Sequence, residues 1–465
     1  MSIAVVTTAG AGILPMATAS ALGPAAKEPA GTFSATAAAQ IAALQKVKAR
    51  QSTTTKKLSS DLSVPLMAAT DSSIAAALPR LGSVRGSSRD LKTVDISATV
   101  TPSLLDSIRS LGGRVGYASA AAHSIRATVP LNALGTLAAA KGVTRIRSAA
   151  QAMTSSVGPR PTPTKAEREA RVKAAMERAL SQAAQAGTIV SEGDVTHAAN
   201  VARDRRRVTG VGVKVCVLSD GVDSLAASQA AGELPAVDVL PGQAGQGDEG
   251  TAMLEIVHDL APGASLGFAT AFISDASFAE NIRALRSQAR CDIIVDDVIY
   301  FNESSFQDGP IAQAVNDVTA AGAMYFSSAG NEGSVLSGTS ANYEGDFVDS
   351  GQSVGKFVGT AHDFDPGPGV QVYEPVSYDG FLFATPAILQ WANPLGAASD
   401  DYDLYLLDAE GNLVGFSQDV QDGTQDPLEI LGVIGADLRL AVVKYSGQAR
   451  YLQLSTLRGR YRDGA

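Results

Sequence analysis

Between Val211 and Gly333 the chain alternates short, unbroken apolar runs with stretches of helical periodicity, and this alternation constrains the fold more than any other feature. The runs are VKVCVLS (213–219), VDVL (237–240), SLGFATA (265–271), CDIIVDD (291–297) and AMYFSS (323–328). They are strand-length and show no polar alternation, so they predict strands covered on both faces. Helical patterns fall between them at about 225–232, 250–259, 275–290 and 310–322. Strand–helix alternation of this kind predicts an α/β layer architecture with a parallel sheet of about five strands. In such sheets functional groups collect beyond the carboxyl ends of the strands. Asp220 follows the first run, Asp296 and Asp297 end the fourth, and Asn331 follows the fifth.

Three phrases carry a more specific signal: VKVCVLSDGVD (213–223), GDEGTAMLEIVHDLAPGA (247–264) and MYFSSAGNEG (324–333). Their order and wording resemble the subtilisin-like serine peptidases, the subtilases, over about 120 of the 465 residues. The resemblance implies peptide hydrolysis by a Ser nucleophile, a His base, an Asp that orients the His and an Asn that holds the oxyanion. The family aspartate ends the first core strand as Asp-x-Gly. Here Ser219-Asp220-Gly221 places Ser219 at that register and Asp220 one position later. Asp220 is the candidate, with capping of the following turn as the other reading.

The family histidine opens a helix as His-Gly-Thr, whereas this chain has Glu249-Gly250-Thr251. Glu249 therefore stands where the base belongs. The related sedolisins use a glutamate there, paired with an aspartate one turn on, a place that Met253 occupies here. Glu255 and Asp259 form a four-residue pair, but too far along the helix for the Gly-Thr register. His258, nine residues past Glu249, reads as a helix-end residue. A glutamate base with an ordinary pKa near 4.3 stays ionised in acid where a histidine would be protonated. Asn331 matches the family's oxyanion donor, although sedolisins place an aspartate there. Asp296 and Asp297 lie where subtilases present substrate-binding backbone, and they are candidates for substrate contact or for pairing with a cation.

The family nucleophile sits in Gly-Thr-Ser-x-Ala-Pro at the start of a buried helix. The one Gly-Thr-Ser here, Gly338-Thr339-Ser340, comes nine residues after Asn331, precedes ANYEGDF and reads as a surface turn. The chain is thus expected to stop short of the nucleophile and to be inactive by itself as a serine-type endopeptidase. The competing reading is a non-catalytic secreted binding protein that uses its C-terminal β region.

The remaining segments fall around that core. Residues 91–150 read βαββαβ, with Thr101-Pro102 as a helix start and Gly112-Gly113 as its end. This order predicts a small ferredoxin-like module; in subtilases such a module is a propeptide that assists folding and covers the substrate cleft. Residues 25–90 read as a low-complexity linker with one helical run near 37–50, and 151–207 as a charged helical linker opened by a Thr164–Glu167 capping box. Arg203–Arg207 reads as an exposed basic turn, or as a processing site. The catalytic core is placed at 208–335. Residues 342–458 break into about seven short strands separated by turn signals, predicting an antiparallel β-sandwich. Asp400, Asp401, Asp403 and Asp408 in that region form a candidate calcium set without EF-hand spacing; no other cofactor or metal is expected.

Composition closes some function classes. A net charge of −10 argues against nucleic acid as a partner. Residues 1–24 are apolar and rich in small residues, with Ala17-x-Ala19 and Ala19-x-Ala21, but lack a basic start. They read as a signal segment, Pro15 opposes a membrane span, and secretion is the expectation. Two cysteines in apolar runs, Cys216 and Cys291, read as buried free thiols. The partners expected are a protein or peptide substrate and the chain's own propeptide module.

Overall fold

The computed structural model describes residues 31–78, 81, 90–154, 189–330, 333–336, 338–351, 357–378, 385–433, 435–457 and 459–461. The chain forms two compact units, one of Met1–Val115, Ala127–Ser148 and Gly333–Ala465, the other of Gly116–Arg126 and Ala149–Glu332.

The first unit opens with three helices, Ala35–Ala49, Ser60–Ala68 and Ser72–Ala77. Ser34 starts the first by accepting a hydrogen bond from the Ala37 amide at 3.0 Å. Residues 31–78 therefore do not form the linker that their composition suggested. Their Ala, Ile, Leu and Val residues enter a hydrophobic core with strand residues from beyond position 357. Next come β1 (Leu91–Ala98), the helix Pro102–Ser110, β2 (Arg114–Ser119), β3 (Ser124–Pro130), the helix Leu134–Ala139 and β4 (Val143–Ser148). Thr101 caps the Pro102 helix by accepting from the Leu104 amide. The strands form one sheet in the order β2-β3-β1-β4, and residues 116–126 group with the second unit.

In the second unit β5 (Ala152–Thr154) precedes β6 (Lys214–Ser219), β7 (Val237–Val239), β8 (Ser265–Thr270), β9 (Ile293–Asp296), β10 (Val298–Tyr300) and β11 (Met324–Ser327). Five of these make a wholly parallel sheet, ordered β11-β9-β6-β8-β7. Strand alternation sends Val215 and Val217 of β6 to one face, where Leu254 of the helix Glu249–Leu260 and Phe268 of β8 complete a core. Cys216 and Leu218 go to the other face, against Phe278, Ile282 and Leu285 of the helix Asp275–Ser287 and Ile311 of the helix Pro310–Ala320. Both faces are covered, which is why the strands are apolar throughout.

The cysteines correct the free-thiol expectation. Cys216 and Cys291 are disulfide-bonded, with Cα atoms 5.9 Å apart. Cys216 lies within β6 and Cys291 just before β9, and these strands are neighbours. That adjacency brings together two residues 75 positions apart at a spacing a disulfide requires.

The first unit ends in β12 (Asn342–Asp346), β13 (Thr360–Ala361), β14 (Glu374–Tyr378), β15 (Thr385–Trp391), β16 (Asp401–Leu407), β17 (Leu413–Ser417), β18 (Leu428–Val433), β19 (Gly435–Ser446), β20 (Tyr451–Thr456) and β21 (Gly459–Tyr461). They form two antiparallel sheets, β12-β20-β15-β18 and β17-β16-β19-β14-β21, with β13 beside β19. Trp391, Leu389 and Leu454 of the first sheet share a core with Tyr402, Leu404 and Val442 of the second. Every residue of β16 is buried. Tyr402, Leu404 and Leu406 join that shared core, while Tyr405 and Leu407 pack with Ile41 and Leu44 of the helix Ala35–Ala49. Lys48 of that helix bonds Asp401 and Asp403 at 2.5 and 2.6 Å. Asp400 meets Arg450 and Asn393, and Asp408 accepts from the amide of Asn412. The four carboxylates weighed for calcium thus all have protein partners, Asp401 and Asp403 sharing Lys48. Among the described residues no group of three or more His, Cys, Asp or Glu has the geometry to hold a metal ion.

Candidate active site

The site lies at the carboxyl ends of β6 and β9. Asp220 follows β6 directly, and its Oδ1 accepts from the amides of Gly221 at 2.6 Å, Glu249 at 3.0 Å and Gly250 at 3.2 Å. Two of those amides open the helix Glu249–Leu260, so Asp220 caps a helix from a neighbouring strand end. The residue that precedes the helix, Asp248, gives it no side-chain cap; its Oδ1 accepts from the Ser224 amide. Asp220 therefore fixes where Glu249 begins. Burial pushes its carboxyl above the usual range, the Gly221 and Gly250 amides pull it back, and the Glu249 charge pushes it up again.

Gly250 is required by this approach. A Cβ there would lie 2.4 Å from the Phe268 ring and 2.5 Å from the Gly221 carbonyl. The sequence Glu-Gly-Thr thus lets the helix start press against the end of β6.

Glu249 is half-buried, and its Oε2 accepts a hydrogen bond from the Thr154 hydroxyl. Thr154 ends β5, which runs antiparallel to β10 with Thr154 opposite Val298, Met153 opposite Ile299 and Ala152 opposite Tyr300. Arg126 secures the approach to this strand by donating to the carbonyls of Ala150 and Ile273, both at 2.7 Å. Tyr117 and Ser119 donate to Glu280.

Asp297 joins the site from β9. Leu218 of β6 pairs with Asp296 of β9, so the next residues, Ser219 and Asp297, leave the two strands side by side. Asp297 is 9% exposed and Ser219 0%. Asp297 Oδ1 and Ser219 Oγ are both buried without a hydrogen bond of ordinary geometry. Burial pushes the Asp297 carboxyl up to about 7; the adjacent Ser219 hydroxyl draws it down, and the charge of Glu249, a hydrogen bond with Glu249 and the charge of Asp220 push it further up. The acidic neighbours thus disfavour the ionised form of Asp297.

The other sequence candidates lie elsewhere. Asp296 is buried and accepts from the Val298 amide at 3.1 Å and the Ser327 hydroxyl at 3.0 Å, which ties β9 to β11. Adjacent strand residues point to opposite sides, so the Asp296–Asp297 pair divides into one tie within the sheet and one site carboxyl. Glu255 accepts from the Ser228 hydroxyl, and Asp259 from the Ser191 amide. Gly338-Thr339-Ser340 belongs to the first unit, in a turn where the Thr339 amide donates to Ser334. Arg203 lies in the helix Ala199–Arg206 and grips Asp194 with both guanidinium nitrogens, so the basic run is helical up to Arg206. Asn331, the signal segment 1–24 and residues 155–188 lie outside the described residues. Sequence reasoning missed Thr154 altogether and gave Asp297 no link to Glu249.

Comparison with known proteins returns no matching family model and no matching curated protein. Among solved structures, the chain is similar to the CspB protease of Clostridium perfringens, with a TM-score of 0.31 and 11% identity over 57% of this chain and 66% of that one. It is also similar to fervidolysin from Fervidobacterium pennivorans, a keratinolytic enzyme related to subtilisin, with a TM-score of 0.26 and 12% identity over 54% of this chain and 41% of that one. The match spans less than two thirds of the length of either protein. The functional reading rests on this chain's own residues.

Proposed function

We propose that the second unit is a peptide-hydrolase site of subtilisin-like design, with Glu249 as base, Asp220 setting its position and Asn331 as oxyanion donor. The observation that carries this reading is β5. An extended segment of the chain lies along β10 by strand addition, as a peptide would, and its last residue places a hydroxyl on Glu249. In this reading residues 91–150 are a propeptide-like module, and 151–154 are its tail, held over the substrate position. The buried disulfide supports a secreted protein, since such bonds persist in oxidising compartments. No helix among the described residues is long and apolar enough to cross a membrane.

One observation favours the second reading, a binding protein without hydrolysis. The hydroxyls beside the carboxyls are Thr154 of the tail and the fully buried Ser219, and neither is placed as an exposed serine nucleophile. Digestion of a proteome-derived peptide mixture, followed by mass spectrometry from pH 3 to 8, decides between them. Cleavage that falls at least about 100-fold in Glu249→Gln, the scale of general acid–base catalysis, supports hydrolysis. Retention of tail-derived peptides without cleavage at any pH supports binding and sinks the hydrolase reading.

A further inference from the structure

We propose that Glu249 and Asp297 act as a general acid–base pair that activates water directly, so that peptide hydrolysis at this site needs no serine. The inference rests on the hydrolase reading above and supplies its nucleophile.

The two acids come from different elements and are brought together by β5: Thr154 donates to Glu249 and pairs with Val298, the residue after Asp297. Glu249 comes from a helix start held by Asp220, and Asp297 from the end of a central strand, beside Ser219. Asp297 is buried and its Oδ1 has no hydrogen bond of ordinary geometry, which disfavours its ionised form. The charges acting most strongly on it are Glu249 and Asp220, both acidic. The hydroxyls around these groups are Ser219, Thr154 and Thr270, the last committed to the backbone carbonyl of Asp220. Such an environment keeps the Asp297 proton on. The Thr154 hydroxyl on Glu249 stands in for the water molecule: it is an O–H donated to the carboxylate that would take the proton.

The reaction balances without another reagent. Glu249 carboxylate removes a proton from water as the water oxygen bonds to the peptide carbonyl carbon. The C=O π electrons move to the carbonyl oxygen, which takes the Asp297 proton. The result is a neutral gem-diol, with the water proton now on Glu249. Glu249 then delivers that proton to the amide nitrogen while Asp297 takes one from the gem-diol. The C–N bond breaks to give a carboxylic acid and an amine, and the pair returns to its starting state.

The test uses the full-length chain, its Thr154→Ala form, and Asp297→Asn and Glu249→Gln variants. Each is incubated with the peptide mixture across pH 3–8, with and without a fluorophosphonate that labels activated serines. Carboxyl titrations are followed by NMR on carbon-13-labelled Asp and Glu. The expected result is cleavage that the fluorophosphonate leaves intact and that each carboxyl variant lowers at least about 100-fold. One carboxyl should titrate near 7 in the parent, and its midpoint should move at least about one pH unit toward acid in Glu249→Gln. Cleavage blocked by the fluorophosphonate, or undiminished in Asp297→Asn, overturns the carboxyl pair and leaves the hydrolase reading standing. An Asp297 titration unmoved in folded Glu249→Gln also overturns it. No cleavage by any form overturns both.

Discussion

Asp297 gives the second unit an uneven response to pH. Its folded carboxyl titrates at about 7 against 3.8 unperturbed, so the folded value is raised. Its stabilising contribution is therefore fully present below about 3.8 and is lost as pH rises through about 7, at about 1.4 kcal/mol per unit of separation. Urea unfolding at pH 5 and pH 8 should show the parent weaker at pH 8, and Asp297→Asn should flatten that difference. An unchanged pH dependence in the variant would remove Asp297 as the source. The place of Glu249 at a helix start was legible because Gly250 and Thr251 follow it, and Gly250 is there because no side chain fits between the helix start, Phe268 and Gly221. The partnership of Glu249 with Asp297 was not legible. The two lie on different elements, and only the register of β6 against β9 brings Asp297 to the site.

Where helix Ala35–Ala49 crosses β16, the packing turns on one cation. Lys48 is 2% exposed, with Asp401 and Asp403 as its partners. Burial disfavours its charge, but those two carboxylates outweigh burial and raise its pKa. Burial, and then the opposing pulls of Lys48 and Asp403, leave Asp401 at about 7. Lys48→Met should destabilise the first unit by about 3–5 kcal/mol, because it strands buried carboxylates. Adding Asp401→Asn and Asp403→Asn should recover much of that loss, and equal instability of the triple variant would show that the ion pairs are not responsible. The strands of the parallel sheet were legible because each is a short run of apolar residues bounded by turns. Of the helices in 31–78 the first was legible as a helical run near 37–50, but not as a buried one. The buried residues of the first wrap round the helix, with Gln40, Gln45 and Lys48 among them, so no single apolar stripe announces a buried face. The disulfide was illegible too, since the neighbourhood of β6 and β9 is a property of sheet order.

At the level of the whole chain, local patterns mark the pieces but not which of them share a core. Phe33 packs edge-on against Phe357 and Tyr373, and Gln418 donates to the Leu44 carbonyl across 374 positions. A protease site introduced within 155–188 and then cut should leave two fragments that co-elute under native conditions and separate only in denaturant. Fragments that part without denaturant would contradict the shared core. The same separation has a consequence during synthesis. A ribosome adding roughly 5–20 residues per second makes Gln418 on the order of tens of seconds after Leu44. Ile41 and Leu44 wait through most of that interval for their strand partners Tyr405 and Leu407, while all five parallel strands emerge and can pair. The earliest helices are then the last to find their cover, which makes them the stretch of the nascent chain most in need of a holding chaperone.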